Sequence, residues 1–458
     1  MKIPVIPPIL PDITQFDWND PDTPHKVSLI FDSSIGPTDK KGRYLHWDKL
    51  RHLNPPQGYT PELYWHAIHQ ARTRISKPLP FKDKHGNPFT FCLPDSVIKD
   101  MLWISENATG AIKADGKVDD NNTRQTYLIN TLIEEAISSS QLEGASTTRR
   151  VAKEMIRSGR APKSHSEKMI YNNYHAMTFI REMKHEDLTP SMVFELHRIL
   201  TYDTLEERDK NKAGTFRDKS DDICVFSLED ELLHIPPNAK ELPKRLQLLC
   251  DFVNSRDTEK DYGVYIPAIL KAIIVHFMLG YDHPFVDGNG RTARALFYWI
   301  MSREKFWLME YLSISRIIKK APAQYMQAFL YTETDDNDMT YFITHQMDVI
   351  RKAINDLHQY LDEKVRQQRE TEHILEKSRL KGLLNHRQTS LLYHALKNPG
   401  TEYTIKGHKN SHGVVYQTAR NDLLDLSEQY GLLRKFKSKK TDVFIAPAEL
   451  EKLIMKYK

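Results

Sequence analysis

One run of the sequence sets several reactive side chains in close order: His283-Pro284-Phe285-Val286-Asp287-Gly288-Asn289-Gly290-Arg291-Thr292-Ala293-Arg294. Gly288, Asn289 and Gly290 are residue types that tolerate positive φ, so successive backbone N–H groups can turn to one side. An apolar stretch precedes the run, and a new helix is expected from near Arg291. The N–H groups then lie at a helix N-terminus, where the dipole also favours an anion. Arg291 and Arg294, three apart, share one side of the first turn. Two guanidiniums beside an N–H nest make a polyphosphate site. Asp287 would only repel phosphate unless a cation lay between them. Mg²⁺, held by one carboxylate plus phosphate oxygens and waters, suits that place. His283, with an ordinary pKa of about 6.5, can take a proton at neutral pH. The chemistry is phosphoryl or nucleotidyl transfer with a histidine base and no covalent protein intermediate. Such a reaction depends on positioning and charge neutralisation. The plainer reading is a glycine-rich helix start with two surface arginines and a capping aspartate. The number of compatible residues in register argues against it.

The elements that must hold this run are helical. Residues 264–279 are apolar almost all round, which predicts a central buried helix ending at Gly280. Residues 292–302 predict a second buried helix. From about 121 to 350 the chain reads as helix after helix. Ile129, Leu132, Ile133, Ala136 and Ile137 recur at helical spacing, and Thr189-Pro190 is a helix start. Residues 221–237 break the pattern: Ile223, Val225 and Phe226, then Leu232, Leu233 and Ile235, predict a short β-hairpin closed by Pro236-Pro237.

The run at 283–294 closely resembles the signature of the Fic family, His-Pro-Phe-x-(Asp/Glu)-Gly-Asn-Gly-Arg-x-x-Arg, at every defined position. The resemblance covers about 120–350 and implies an all-α Fic fold, with a hairpin flap, that transfers AMP from ATP and releases pyrophosphate. It implies that His283 deprotonates a Ser, Thr or Tyr hydroxyl of a target protein. Asp287 would hold Mg²⁺ on the α- and β-phosphates. Gly288, Asn289 and Gly290 would cradle the α-phosphate, and Arg291 and Arg294 the more distal ones. Pro284 and Phe285 would be structural, with Phe285 buried as an anchor. The hairpin at 223–235 would be the flap that docks the target by strand pairing.

Upstream, Ser138-Ser139-Ser140-Gln141-Leu142-Glu143-Gly144 reads by itself as a serine-rich helix end with a glycine stop. It also resembles the Fic inhibitory motif (Ser/Thr)-x-x-x-Glu-(Gly/Asn), satisfied by Ser139, Glu143 and Gly144. That resemblance implies that Glu143 pairs with Arg294, removes a γ-phosphate contact and repels the incoming polyphosphate. The same glutamate could instead orient a water for removal of AMP, and the sequence does not separate the two directions. Transfer of another phosphate-containing group is a further alternative.

His276 and His197 read as packed or hydrogen-bonded histidines, His276 because Gly280 and Pro284 break the helix that would align it with His283. Ser313, Ser315, Arg316 and Tyr325 resemble a family segment beside the nucleotide pocket, with structural and ligand roles both open. The first 105 residues are rich in proline and aromatics. Within them a helix is expected near 60–76, starting at Thr60-Pro61, and a hairpin in 78–95. Their role is not legible. Residues 106–350 would be the Fic domain, 351–380 a connecting helix and 381–458 a winged helix-turn-helix. In that last part Leu383–Leu392 suggest one helix and Val414–Leu426 another. Residues 415–423 resemble the recognition helix of winged-helix domains appended to bacterial Fic proteins. Arg434, Lys435, Lys437, Lys439 and Lys440 would form a basic wing. Contact with DNA and a role in protein contacts or dimerisation are both compatible with this composition. A nucleotide-sensing DNA-binding regulator is accordingly the alternative from another functional class.

The 458 residues suffice for several cores, and a net charge of +4 is too small for a whole-chain nucleic-acid binder. Cys92, Cys224 and Cys250 are scattered and odd in number, which predicts no disulfide framework. No run is apolar enough for a membrane span, and Pro4, Pro7 and Pro8 break any signal-peptide core, so a cytoplasmic location is expected. Members with an N-terminal inhibitory helix often form homodimers, an analogy only.

Overall fold

The computed structural model describes residues 3–10, 12–109, 121–221, 223–227, 230–376, 378, 380, 382–438 and 441–457. Lys439 and Lys440 of the expected wing lie outside them. Helix α1 (Pro61–Ile75) starts where Thr60 Oγ1 accepts from Leu63 N at 3.2 Å, with Pro61 in the first position. Strands β1 (Lys77–Lys82) and β2 (Pro88–Phe91) follow as an antiparallel hairpin. Its inward side chains Leu79, Phe81, Phe89 and Phe91 belong to the main core. Phe81 meets Phe252 edge-on at 5.0 Å, and Phe89 meets Phe277 at 5.6 Å. Helix α2 (Asp95–Thr109) then runs across residue 105.

The body is built from α3 (Asn121–Leu142), α4 (Arg149–Ser158), α5 (His165–Glu182) and α6 (Pro190–Thr201). The hairpin β3 (Val225–Phe226) and β4 (Leu232–His234) comes next, paired antiparallel. Then follow α7 (Leu242–Asn254), α8 (Ala268–Asp282), α9 (Asn289–Arg303), α10 (Ile314–Lys320), α11 (Pro322–Thr334) and α12 (Thr340–Glu376). Helices α8 and α9 form the central pair, buried on nearly every side. Contrary to the sequence expectation, α8 does not stop at Gly280 but continues to Asp282. The glycine is there for packing: a Cβ on it would lie 3.0 Å from the Phe329 ring. The following helix likewise starts at Asn289, two residues before Arg291. The N-terminal half of α12 packs into the same core through Phe342, Ile343, Ile350 and Ile354 before the helix leaves it.

The C-terminal part has its own core and comprises α13 (His386–Lys397), β5 (Glu402–Thr404), α14 (Ile405–His412), α15 (Tyr416–Leu424), β6 (Arg434–Ser438), β7 (Thr441–Ile445) and α16 (Leu450–Met455). The sheet order is β5-β7-β6. Leu383 and Leu384 fall outside α13. Asn385 and Gln388 form a reciprocal capping box that starts the helix after them. Strand β5 and helix α14 were not legible, being too short to show a period. Among the described residues no helix is long and apolar enough to cross a membrane.

Candidate active site

The site starts at the corner where α8 ends. His283 caps the helix with φ 45° and ψ 56°, an uncommon left-handed conformation for a residue with a Cβ. Arg217 holds it there. Its Nε donates to His283 O at 2.7 Å, its backbone N to Pro284 O at 2.9 Å, and its Nη2 to Pro237 O at 2.6 Å. The guanidinium thus ties the corner to the exit of the β3–β4 hairpin. The His283 ring sets Nδ1 3.2 Å from Gly280 O. A carbonyl can only accept, so Nδ1 carries the hydrogen and Nε2 keeps its lone pair. Burial pushes the pKa of His283 down to about 4, so the ring is neutral at pH 7.

Beyond the corner the loop is fixed from within. Phe285 is fully buried and stacks on His197 at 3.8 Å with the rings 9° apart. His197 Nδ1 accepts from Gly214 N at 2.8 Å, which makes Nε2 the protonated nitrogen that donates to Asp287 O, also at 2.8 Å. Asn289 closes a ring back to Phe285: Oδ1 accepts from its N at 2.9 Å and Nδ2 donates to its O at 2.8 Å. Gly288 takes φ 83°, and a Cβ on it would lie 2.9 Å from Thr201 Cγ2. The first intrahelical bond of α9 runs from Thr292 N to Gly288 O. The N–H groups of Asn289, Gly290 and Arg291 therefore have no acceptor within the helix.

The two arginines bond to different partners. Arg291 is buried, donating from Nη1 to Leu200 O at 3.1 Å and from Nη2 to Asp287 Oδ2 at 2.7 Å. Its guanidinium joins α6 to the loop and steers the half-exposed Asp287 carboxylate, whose Oδ1 takes the Gly288 N–H at 2.6 Å. Arg291, expected with Arg294 to hold phosphates, thus has partners on α6 and in the loop. Arg294 turns instead to α3. Its Nε donates to Ser139 Oγ at 2.9 Å, and its Nη2 to Ser139 O at 3.1 Å and Glu143 Oε1 at 2.7 Å. Burial disfavours the guanidinium charge, but Glu143, Tyr325 and Glu135 together outweigh it and raise the Arg294 pKa. Glu143 Oε1 also lies 2.3 Å from where a Cβ on Gly290 would stand. The carboxylate thus rests on the first turn of α9, against the free N–H groups. Gly144, at φ 91°, ends α3 and lets the chain turn away.

Glu135 and Ser139, four apart, share one face of α3, and Glu143 continues that spacing just past its end. Glu135, which sequence reasoning missed, accepts from Tyr298 Oη at 2.9 Å, Ser313 Oγ at 2.8 Å and Ser315 N at 3.2 Å, and also from Ser315 Oγ. Ser313 and Ser315 therefore anchor α3, while Arg316 pairs with Asp356 at 2.5 Å. Tyr325 Oη meets His276 Nε2 at 2.9 Å, beside Arg294. On the hairpin, Phe226, Leu232 and Ile235 are exposed.

Residues 187–301 match the model of the Fic/DOC family. A protein adenylyltransferase Fic from Nematostella vectensis is 33% identical over 123 residues, covering 27% of this chain and 25% of the relative. The protein adenylyltransferase fic-1 of Caenorhabditis elegans is 27% identical over 187 residues, 40% of this chain and 33% of the relative. The chain thus spans a fifth to a third of the length of the curated relatives it matches. Among solved structures, a Fic family protein from Desulfovibrio desulfuricans G20 is similar in fold, with a TM-score of 0.50 and 16% identity over 80% of this chain and 98% of that one.

Proposed function

We propose, on the premise that this chain carries a Fic/DOC-family domain, that it is a self-inhibited protein adenylyltransferase. It transfers AMP from ATP to a Ser, Thr or Tyr hydroxyl of a target protein. The observation that carries the reading is the Glu143 carboxylate resting on Arg294 and against Gly290, where an anion is otherwise invited. When this carboxylate leaves, Arg294 and the N–H groups of residues 289–291 are free for phosphates. The target oxygen attacks the α-phosphorus, its proton passes to His283 Nε2, and the bond to pyrophosphate breaks. Asp287, half-exposed with oxygen lone pairs to spare, fits the role of Mg²⁺ ligand. The ion would neutralise phosphate charge. The similarity to protein adenylyltransferases supports the reaction type, and exposed Phe226 and Leu232 on a two-stranded hairpin support target docking there by strand addition.

Loss of one guanidinium–phosphate contact plus repulsion by the carboxylate amounts to a few kcal/mol at an effective dielectric of about 20. That suppresses turnover by several powers of ten. With ATP labelled at the α-phosphate, Glu143→Gly should label protein targets far more strongly than the wild type, and His283→Ala should not label them. Equal labelling by all three refutes the proposal.

The C-terminal order of helix, strand, two helices and hairpin supports a winged-helix reading. Helix α15 exposes Tyr416, Gln417, Arg420 and Asn421 beside exposed Arg434, Lys435 and Lys437 on β6. Arg434 pairs with Glu449 and Lys435 with Glu428, so part of this charge is already neutralised. Binding of the full chain to duplex DNA with steep salt dependence would support DNA contact; no binding at low salt would favour protein contacts.

A further inference from the structure

The C-terminal module packs on the helix that leads into Glu143. Helix α14 lies against α3 and α4, with Lys406 Nζ 3.4 Å from Gly159 O and the Asn410 amide donating to Arg157 O. Between them is a cleft of about 410 Å³. That is the size of a small-molecule site. Ile129 and Ile133 of α3, Ile156 of α4 and Tyr174 of α5 make its wall, while Arg157 and Lys409 bring positive charge. The nearby carboxylate of Glu134 is taken by Arg149 and Lys153. Arg157 donates to the neutral Asn130 amide oxygen at 2.6 Å, and its Nε has no hydrogen-bond partner. Burial holds its pKa below the ordinary arginine value, as expected of a guanidinium short of negative charge. Among the described residues neither Arg157 nor Lys409 forms an ion pair with a carboxylate.

We propose that this cleft binds a small amphipathic anion, an apolar body against the isoleucines and Tyr174 with its acid group between Arg157 and Lys409. Such a ligand touches α3, α4 and α14 together, so it favours the arrangement in which they are assembled. Ile133 stands ten residues, about 15 Å along the helix, from Glu143. Bound ligand therefore braces α3 in the position where Glu143 reaches Arg294. The brace as regulation rests on Glu143 acting as an inhibitor; the binding site does not.

Decanoate is the probe, titrated calorimetrically into the full chain without ATP. One saturable site per chain is expected, weakened at least about tenfold by Arg157→Met and by Lys409→Glu. Lys409 is exposed, so its substitution leaves the fold intact. No binding to the wild type, or unchanged affinity in Lys409→Glu, overturns the site. In hydrogen exchange, saturating decanoate should slow the amides of residues 129–142 about threefold or more. Unchanged exchange there, with binding intact, overturns the brace. Neither readout depends on AMP transfer.

Discussion

His197 does its work through three contacts that its own neighbourhood in sequence does not announce. It supports Phe285 face-on, takes the Gly214 N–H and donates to Asp287 O. His197→Ala removes two largely buried hydrogen bonds and a stacked ring. It should lower stability by roughly 2–4 kcal/mol in urea unfolding and also slow AMP transfer, because the loop carrying Asp287 loses its backing. A substitution that lowers only stability would show that the loop holds its shape without the histidine. The run at 283–294 was legible because its constraints are local: positive φ at Gly288, the Asn289–Phe285 ring and the helix start all lie within a few residues. Arg217 and Glu135 were not, since their partners stand 66 and 180 positions away for His283 and Ser315. The turn of Arg294 toward α3 and of Arg291 toward α6 could not be read from their spacing either. Which way each points is decided by Ser139 and Leu200, on other helices.

At the scale of elements, α3 is held by a buried carboxylate at one place and leads, two turns on, into Glu143, the inhibitor proposed above. Glu135 accepts from four donors at the start of α10 and on α9. Glu135→Ala takes this acceptor from the Ser313 and Ser315 donors in the interior and leaves Tyr298 Oη only Leu312 O at 3.1 Å. We expect a loss of about 3–5 kcal/mol in urea unfolding, and faster hydrogen exchange along α3 than along α8. Equal exchange changes in both helices would mean that the damage is global and not a release of α3. The fold around this helix was partly legible. The helix through Ile129–Ile137, the hairpin in 223–235 and the helix after Thr60 follow from apolar period, β-branched residues and a capped Pro start. The N-terminal hairpin was visible as turns and prolines, yet its burial against Phe252 and Phe277 is a tertiary fact that no local pattern encodes.

For the whole molecule, buried histidines set the response to acid. Burial drives the pKa values of His46, His276 and His412 down to about 3, and those of His197, His283 and His345 to about 4. Each takes up a proton near pH 6.5 when unfolded but not when folded, so the unfolded state binds more protons in this window. Their contribution is complete above about pH 6.5 and is lost as pH falls toward 4. Asp282 and Asp335, whose burial raises them to about 6, act in the opposite sense, but they are fewer. Urea unfolding should show stability falling steeply between pH 7 and pH 4. A flat profile would mean that the histidines are not neutral in the folded protein. The most direct test of the account is the intact mass of Glu143→Gly after incubation with Mg-ATP. An adduct of one AMP that disappears when His283→Ala is added is the predicted result. An adduct that persists without His283, or the same adduct in equal amount on the wild-type protein, would contradict it.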